Sequence, residues 1–290
     1  MNPLSIRIHL CPQIPLSHRI NDSPGRRGQS RREFWETIKR DNKTVIAVTL
    51  NDAVNSPDET GRWLKFVVIS DTHDQLGEMM EKIPIPDGDV LIHCGDMTNR
   101  GEKEKLEALN EQFGQLPHKH KVVVAGNHDL GFDDTEDWSK RHYKYPNDGT
   151  REGYKLLTNV TWLHDKAHEI EGIKIYGSSW HPLRGYPFYV DRGEKMAAKW
   201  MKMPDEVDIL ITHAPPLGYL DTFGTERWGD YDLLQAIEKR NPKFHVFGHV
   251  HESYGSATNN RTTFINAAAC LKSNTLSNKP IVFYMKVPNS

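Results

Sequence analysis

The sequence predicts an α/β protein built on buried, largely parallel strands. Two observations lead there. Five short apolar runs each break off into a cluster of polar residues: Phe66-Val67-Val68-Ile69 into Ser70-Asp71-Thr72-His73, Val90-Leu91-Ile92 into His93-Cys94-Gly95-Asp96, Val122-Val123-Val124-Ala125 into Gly126-Asn127-His128-Asp129, Ile209-Leu210-Ile211 into Thr212-His213-Ala214-Pro215-Pro216, and His245-Val246-Phe247 into Gly248-His249-Val250-His251. A β-branched run that is apolar at every position reads as a strand covered on both faces. Segments with helical spacing lie between these runs, the alternation expected of an α/β chain. Open α/β sheets put their chemistry at the carboxyl ends of strands, where the polar clusters fall.

Length and composition fit this. A chain of 290 residues is ordinary for one large α/β domain, and 37% hydrophobic content supplies a core while leaving room for long polar loops. The net charge of −2 argues against whole-domain binding to nucleic acid or to a membrane surface. Residues 1–40 nevertheless carry eight Arg and Lys against three acids. Three cysteines, Cys11, Cys94 and Cys270, are odd in number and far apart, which suits a reducing compartment and no disulfide framework. No run reaches the 18 or so apolar residues a membrane span needs, and Arg7, His9 and Pro12 interrupt any signal-peptide core. The expected location is the cytoplasm.

In chain order, residues 1–60 read as an extension, largely disordered. Ser17 to Arg32 is rich in Arg, Gly, Ser and Pro, too polar to offset its ordering entropy. A nucleic-acid arm is the sharper reading of this segment, and a solvated tail is preferred. Ser30 and Glu33 have capping-box spacing ahead of a short helix over 31–40, and Thr44 to Leu50 has a strand's composition. Helices are expected at Gln75 to Lys82, stopped by Pro84; at Glu102 to Phe113, with Leu106, Leu109 and Phe113 on one face; at Glu194 to Met201; and at Asp230 to Arg240. Asp133 to Leu157 reads as a long loop with a helical turn. Thr161 to Leu163 and Ile173 to Tyr176 read as strands of a second sheet, and Thr262 to Asn266 and Ile281 to Met285 as closing strands.

The polar clusters assemble a metal-type set: Asp71, His73, Asp96, Asn127, His213, His249 and His251. Carboxylate, imidazole and amide oxygen without thiolate suit Mn²⁺, Fe or Zn²⁺ better than Ca²⁺ or Mg²⁺, with Mn²⁺ the first expectation. The i, i+2 spacing of Asp71 with His73 and of His249 with His251 puts each pair on one side of an extended segment. Seven ligands exceed one tetrahedral site and match two ions sharing a carboxylate. A lone Asp-x-His or Gly-His-x-His is weak evidence; all five clusters in this order, each behind an apolar run, are strong.

The order SDTH, GD, GNHD, THAPP, GHVH resembles the calcineurin-like metallophosphoesterases, and the spacing is similar to the metallophosphoesterase-domain-containing (brain 239-like) branch. The resemblance covers roughly residues 64–287. It implies a four-layer α/β/β/α sandwich of two mixed sheets, with a metallophosphoesterase domain over 61–290. It further implies that Asp71, His73, Asp96 and His251 hold one divalent ion, and Asp96, Asn127, His213 and His249 the other. The family's second motif reads Gly-Asp-x-x-Asp-Arg; here Asn99 replaces the second acid, removing the carboxylate that would fix Arg100 for phosphate binding. Asn127, His128 and Arg100 are the candidate phosphate contacts.

Two ions lower the pKa of a bridging water and clamp phosphate oxygens for in-line attack. His128, beside Asp129, is the candidate general acid or anion stabiliser, so both are expected to be catalytic. His93 reads as a core or supporting histidine, Cys94 as a small hydrophobe and His245 as structural. His118 and His120 read as solvated, and Glu252 as orienting an imidazole. Trp180, His181 and Arg184 read equally as a substrate wall or an exposed loop. The leading function is hydrolysis of small nucleotide-type phosphodiesters through a metal-bridging hydroxide. The alternatives are a phosphomonoesterase or protein phosphatase, a non-catalytic scaffold, and an arm-assisted nuclease. No membrane partner is expected and nucleic acid is disfavoured.

Overall fold

The computed structural model describes residues 47–48, 55–58 and 60–288. In chain order the strands and α-helices of the first half are β1 (Ala47–Val48), β2 (Trp63–Ile69), α1 (Leu76–Lys82), β3 (Val90–His93), α2 (Lys103–Gln115), β4 (His120–Val123) and β5 (Thr161–Trp162). The second half adds β6 (Lys166–Ile170), β7 (Ile173–Ser178), α3 (Glu194–Trp200), β8 (Ile209–Thr212), β9 (Thr222–Phe223), β10 (Glu226–Arg227), α4 (Tyr231–Arg240), β11 (Phe244–Phe247), β12 (Gly255–Thr258), β13 (Thr263–Asn266) and β14 (Ile281–Lys286).

Side-chain alternation sets the layering. Successive strand residues face opposite ways, so a strand apolar throughout must be covered twice. Leu64, Phe66 and Val68 of β2, with Val90 and Ile92 of β3, pack against Ile209 and Ile211 of β8 and Phe244 and Val246 of β11. That is the seam between two sheets, where Phe283 stacks on both Phe66 and Phe244. The intervening residues, Val67, Leu91, Val123, Leu210 and Phe247, turn outward to the helices. There Leu106, Leu109 and Phe113 of α2, and Leu233 and Ile237 of α4, complete the core. The result is the α/β/β/α sandwich.

One sheet runs β14-β2-β3-β4-β5 and the other β1-β12-β13-β11-β8-β7-β6. Strands β2 to β5 are mutually parallel, as are β7, β8, β11 and β13. All five polar clusters therefore emerge at the carboxyl ends of parallel strands, and a bridge between Ser70 and Ala268 joins the sheets there.

Three expectations need correction or placing. Thr161–Trp162 extends the first sheet, pairing with β4, and does not belong to the second. Two described pieces ahead of residue 61 contact the rest: β1 pairs with β12, and Asn55 exchanges two hydrogen bonds with the Tyr284 backbone. The helix expected over 31–40 lies outside the described residues. The loop after β4 holds two short 3₁₀ turns, at Trp138–Lys140 and Gly153–Leu156. Among the described residues no helix is long and apolar enough to cross a membrane.

Candidate metal centre

At the strand ends the backbone leaves extended geometry. Asp71 (φ 53°), His73 (φ 43°), Asp96 (φ 51°) and His249 (φ 68°) are all left-handed. This corrects the extended-segment argument for Asp71-Thr72-His73 and His249-Val250-His251: tight turns aim these side chains. Such conformations cost about 1–3 kcal/mol each and cluster where surrounding structure imposes them. The imposing bonds run between neighbouring turns, with Asp71 N donating to Gly95 O at 2.9 Å and His73 N to Asp96 O at 3.1 Å.

Two groups of ligand atoms result, Asp71 with His73 and His251, and Asp96 with His213 and His249. Asp96 joins them. Its Oδ1 accepts from His128 N at 2.7 Å, while Oδ2 lies 3.8 Å from His73 Nε2 and 3.3 Å from His213 Nε2. Gly126 is required here, because a Cβ would sit 2.1 Å from Asp96 Oδ1. Asn127 Oδ1 stands 3.1 Å from His213 Nε2, placing the amide oxygen with the second group. The Asp71 carboxylate accepts from His249 N at 3.0 and 3.1 Å, tying the sheets together.

The imidazole tautomers test whether cations fit. His213 Nδ1 donates to Cys94 O at 2.8 Å, and His251 Nδ1 to Leu271 O at 2.9 Å. In the neutral ring each Nε2 is then a lone pair. Those lone pairs face acceptors: His213 meets Asp96 and Asn127, and His251 meets Asp71 Oδ1 at 3.2 Å. Acceptors converging on acceptors need a proton or a metal between them. Burial disfavours charge on His213, yet Asp96 outweighs it and lifts the group to about 9. Burial likewise opposes charge on His251, and the bond to Asp71 raises it to about 9. Burial and the neighbouring His213 push His249 down to about 3. Asp71 and Asp96 stay ionised against burial because imidazoles surround them. A nitrogen–oxygen set of this composition fits divalent metal at both candidate groups.

His128 projects into the same cavity. Its Nδ1 donates to Asn99 O at 3.0 Å, and its ring meets His73 edge-on at 5.2 Å. Asn99 is itself held, its Nδ2 donating to His73 O at 3.0 Å and to Asp74 Oδ2 at 2.7 Å.

Several expected site residues lie elsewhere. Asp129 does not orient His128; it is fully buried and accepts from Gly126 N at 2.8 Å, Thr98 N at 2.9 Å and Thr98 Oγ1 at 3.0 Å. It clamps the turn after β4 to the turn after β3, with burial and then Asp96 raising its pKa to about 6. Arg100 pairs with Asp148 at 3.4 Å and lies over Tyr145, outside the cavity lining. Glu252 pairs with Lys272, so Leu271 O orients His251 instead. His118 is buried and bonded to Pro86 O, not solvated. Trp180 and His181 are buried rather than exposed. His93 is a core residue between Thr72 Oγ1 and Gly95 N. His245 supports the site: Thr212 Oγ1 donates to Ala214 O, so His245 Nε2–H donates to Thr212 and braces the turn carrying His213.

The ligand cavity has a volume of about 310 Å³ and is walled by Tyr186, Phe223, Trp228 and Lys272, none of which sequence reasoning picked out. A second cavity of about 330 Å³ shares Leu183, Trp228 and His249 with it.

Residues 64–253 match the family model described as calcineurin-like phosphoesterase. The chain belongs to that family. It is 50% identical over 255 residues to a UPF0046 protein of Caenorhabditis elegans, covering 87% of each chain. It is 39% identical over 253 residues to human metallophosphoesterase domain-containing protein 1, covering 83% of this chain and 75% of that protein. Membership of the calcineurin-like phosphoesterases implies a hydrolase of phosphoesters that works with divalent metal.

Proposed function

We propose that this calcineurin-like phosphoesterase is a dinuclear phosphodiesterase acting on small nucleotide-type diesters. The observation that carries it is Asp96 Oδ2, which faces His73 of one ligand group and His213 of the other. Asp71, His73, Asp96 and His251 would hold one ion, and Asp96, Asn127, His213 and His249 the second. Bound ions supply an activated water and positive charge for the phosphate oxygens. The absence of thiolate favours Mn²⁺, Fe or Zn²⁺, and Mn²⁺ is our choice.

The chain's own residues supply orientation and proton handling. His128 is fixed through Nδ1 to Asn99 O, which leaves Nε2 facing the cavity. A backbone carbonyl accepts equally well from imidazolium, so the ring can carry a proton at Nε2 and release it to the departing ester oxygen. Asn127 and His128 also flank the phosphate position, whereas Arg100 is assigned no contact. Two cavities meeting at His249 and Trp228 support a diester, because a monoester needs room for one substituent only. Buried, unpaired Cys94 and Cys270 accord with a cytoplasmic setting.

The test is a metal-reconstituted comparison of phosphodiesters and monoesters, with Asp96→Asn as the blank and metal content measured in parallel. Two ions per chain and diester turnover absent from the blank are expected. One ion per chain, or turnover of monoesters alone, would overturn the reading.

A further inference from the structure

One wall of the ligand cavity is a two-strand hairpin, β9–β10, turned by Gly224 and Thr225 with Glu226 opposite Phe223. Its base is locked. Asp221 is buried and accepts from Arg227 Nη1 at 2.6 Å, Gly218 N at 2.9 Å and Gly229 N at 3.2 Å. Its flank is pinned to the turn bearing His251, with Thr222 N donating to Ser253 Oγ and Ser253 Oγ donating back to Thr222 O. A Cβ on Gly224 would touch nothing within 4 Å, so the tip stands clear of the body.

This bracing holds two rings that the core does not use. Phe223 and Trp228 stack with centroids 4.0 Å apart and planes 24° apart. Neither joins the buried clusters, which take Tyr219 and Leu220 from the same segment. Trp228 instead lies 5.8 Å from the His249 ring and lines both cavities. Lys272 Nζ sits 4.3 Å from the Phe223 ring centre, its other neighbour being Glu252. Phe223 is thus covered by Trp228 on one face and by the Lys272 ammonium on the other, so the flat surface the pair offers the cleft is Trp228, backed by Phe223, and a braced aromatic face of this kind is where flat π-systems bind.

We infer that Trp228, braced by Phe223 and the Lys272 ammonium beyond it, is a specificity wall that stacks a planar aromatic or heteroaromatic group carried by the phosphate ester. This rests on the phosphoester reading above for where the phosphate sits. A ring held here stays next to His249 while the phosphate meets the ligand groups. The wall discriminates by shape and π-surface, not by hydrogen-bond pattern, so it accepts planar groups that differ in their polar atoms.

The test is calorimetric binding of phenyl phosphate and of methyl phosphate to the metal-loaded full chain, wild type against Phe223→Leu and Trp228→Leu. Leucine keeps apolar bulk and removes the π face. Stacking of this kind is worth roughly a five- to tenfold preference for the phenyl ester in the wild type. Trp228→Leu should lose most of that preference and Phe223→Leu, which loosens the brace, part of it, while methyl phosphate affinity and metal content stay within about twofold. A wild-type ratio near one, a ratio unchanged in both variants, or no binding of either ester would overturn the inference. Failure of the phosphodiesterase reading shows separately, as absent diester turnover beside an intact binding ratio.

Discussion

Asn99 occupies the position where the family pattern carries an aspartate, and its surroundings explain the exchange. Its Nδ2 donates to Asp74 Oδ2 at 2.7 Å and to His73 O at 3.0 Å, while Asn99 O receives His128 Nδ1. Asn99→Asp replaces that donor with an acceptor facing two acceptors. Two hydrogen bonds at about 1 kcal/mol each disappear. A carboxylate beside Asp74 adds repulsion of up to about 4 kcal/mol at an effective dielectric near 20, an upper bound that side-chain rotation reduces. The expected loss is therefore about 2–4 kcal/mol, or roughly 5–15 °C in Tm for a domain of this size. Urea and thermal unfolding of metal-free and metal-loaded protein measure it. Asp74→Asn in the Asn99→Asp background restores a donor–acceptor pair and should recover at least half of the loss, a coupling that a double-mutant cycle isolates. If Asn99→Asp unfolds within about 0.5 kcal/mol of wild type, or the second change rescues nothing, this account of the motif is wrong.

Three further outcomes follow from the same geometry. His128→Ala should lose about 10²–10⁴-fold on diesters with an alkoxide leaving group and much less on p-nitrophenyl esters, with metal content unchanged; equal losses on both would make the residue a phosphate-positioning group. Gly248→Ala puts a Cβ 2.0 Å from Asp71 Oδ2 and 2.1 Å from Ser70 Oγ, so metal analysis should find the Asp71 ion depleted in a folded protein, and full occupancy would count against the ligand assignment. Burial lowers His245 to about 3; a folded pKa below the unfolded value of about 6.5 means its stability is complete above pH 6.5 and falls as pH drops toward 3. Wild type should thus lose about 2 kcal/mol more than His245→Phe between pH 8 and pH 5 in urea titrations, and parallel profiles would refute it.

The candidate ligands are legible in the sequence because each follows its apolar run directly, so strand and chemistry are read in one local window. The layering is legible for the same reason, since a run apolar at every position demands cover on both sides. What escapes reading is set by partners far along the chain. Asp129 looks like a partner for His128 by adjacency, but its acceptors serve Thr98, 31 residues away. His118 looks solvated between Pro117 and Lys119, yet the loop at Pro86 closes over it. Thr161 and Trp162 suit a strand of either sheet by composition, and only pairing with β4 decides which one takes them. The hairpin wall carries no apolar run at all, and only the Gly224-Thr225 turn between Phe223 and Trp228 hints at it.

Each ligand group draws on both sheets. Asp71 and His73 follow β2 of one and His251 follows β11 of the other; Asp96 follows β3, while His213 and His249 follow strands across the seam. An ion at either group is then a fastener as well as a reagent, closing a span of 180 residues between Asp71 and His251. By linkage it holds the sandwich shut with about 2.7 kcal/mol at a hundredfold excess over its Kd. Withdrawing such ions would unbutton the sheets at the carboxyl ends of their strands, so metal supply would then set how long the folded chain survives.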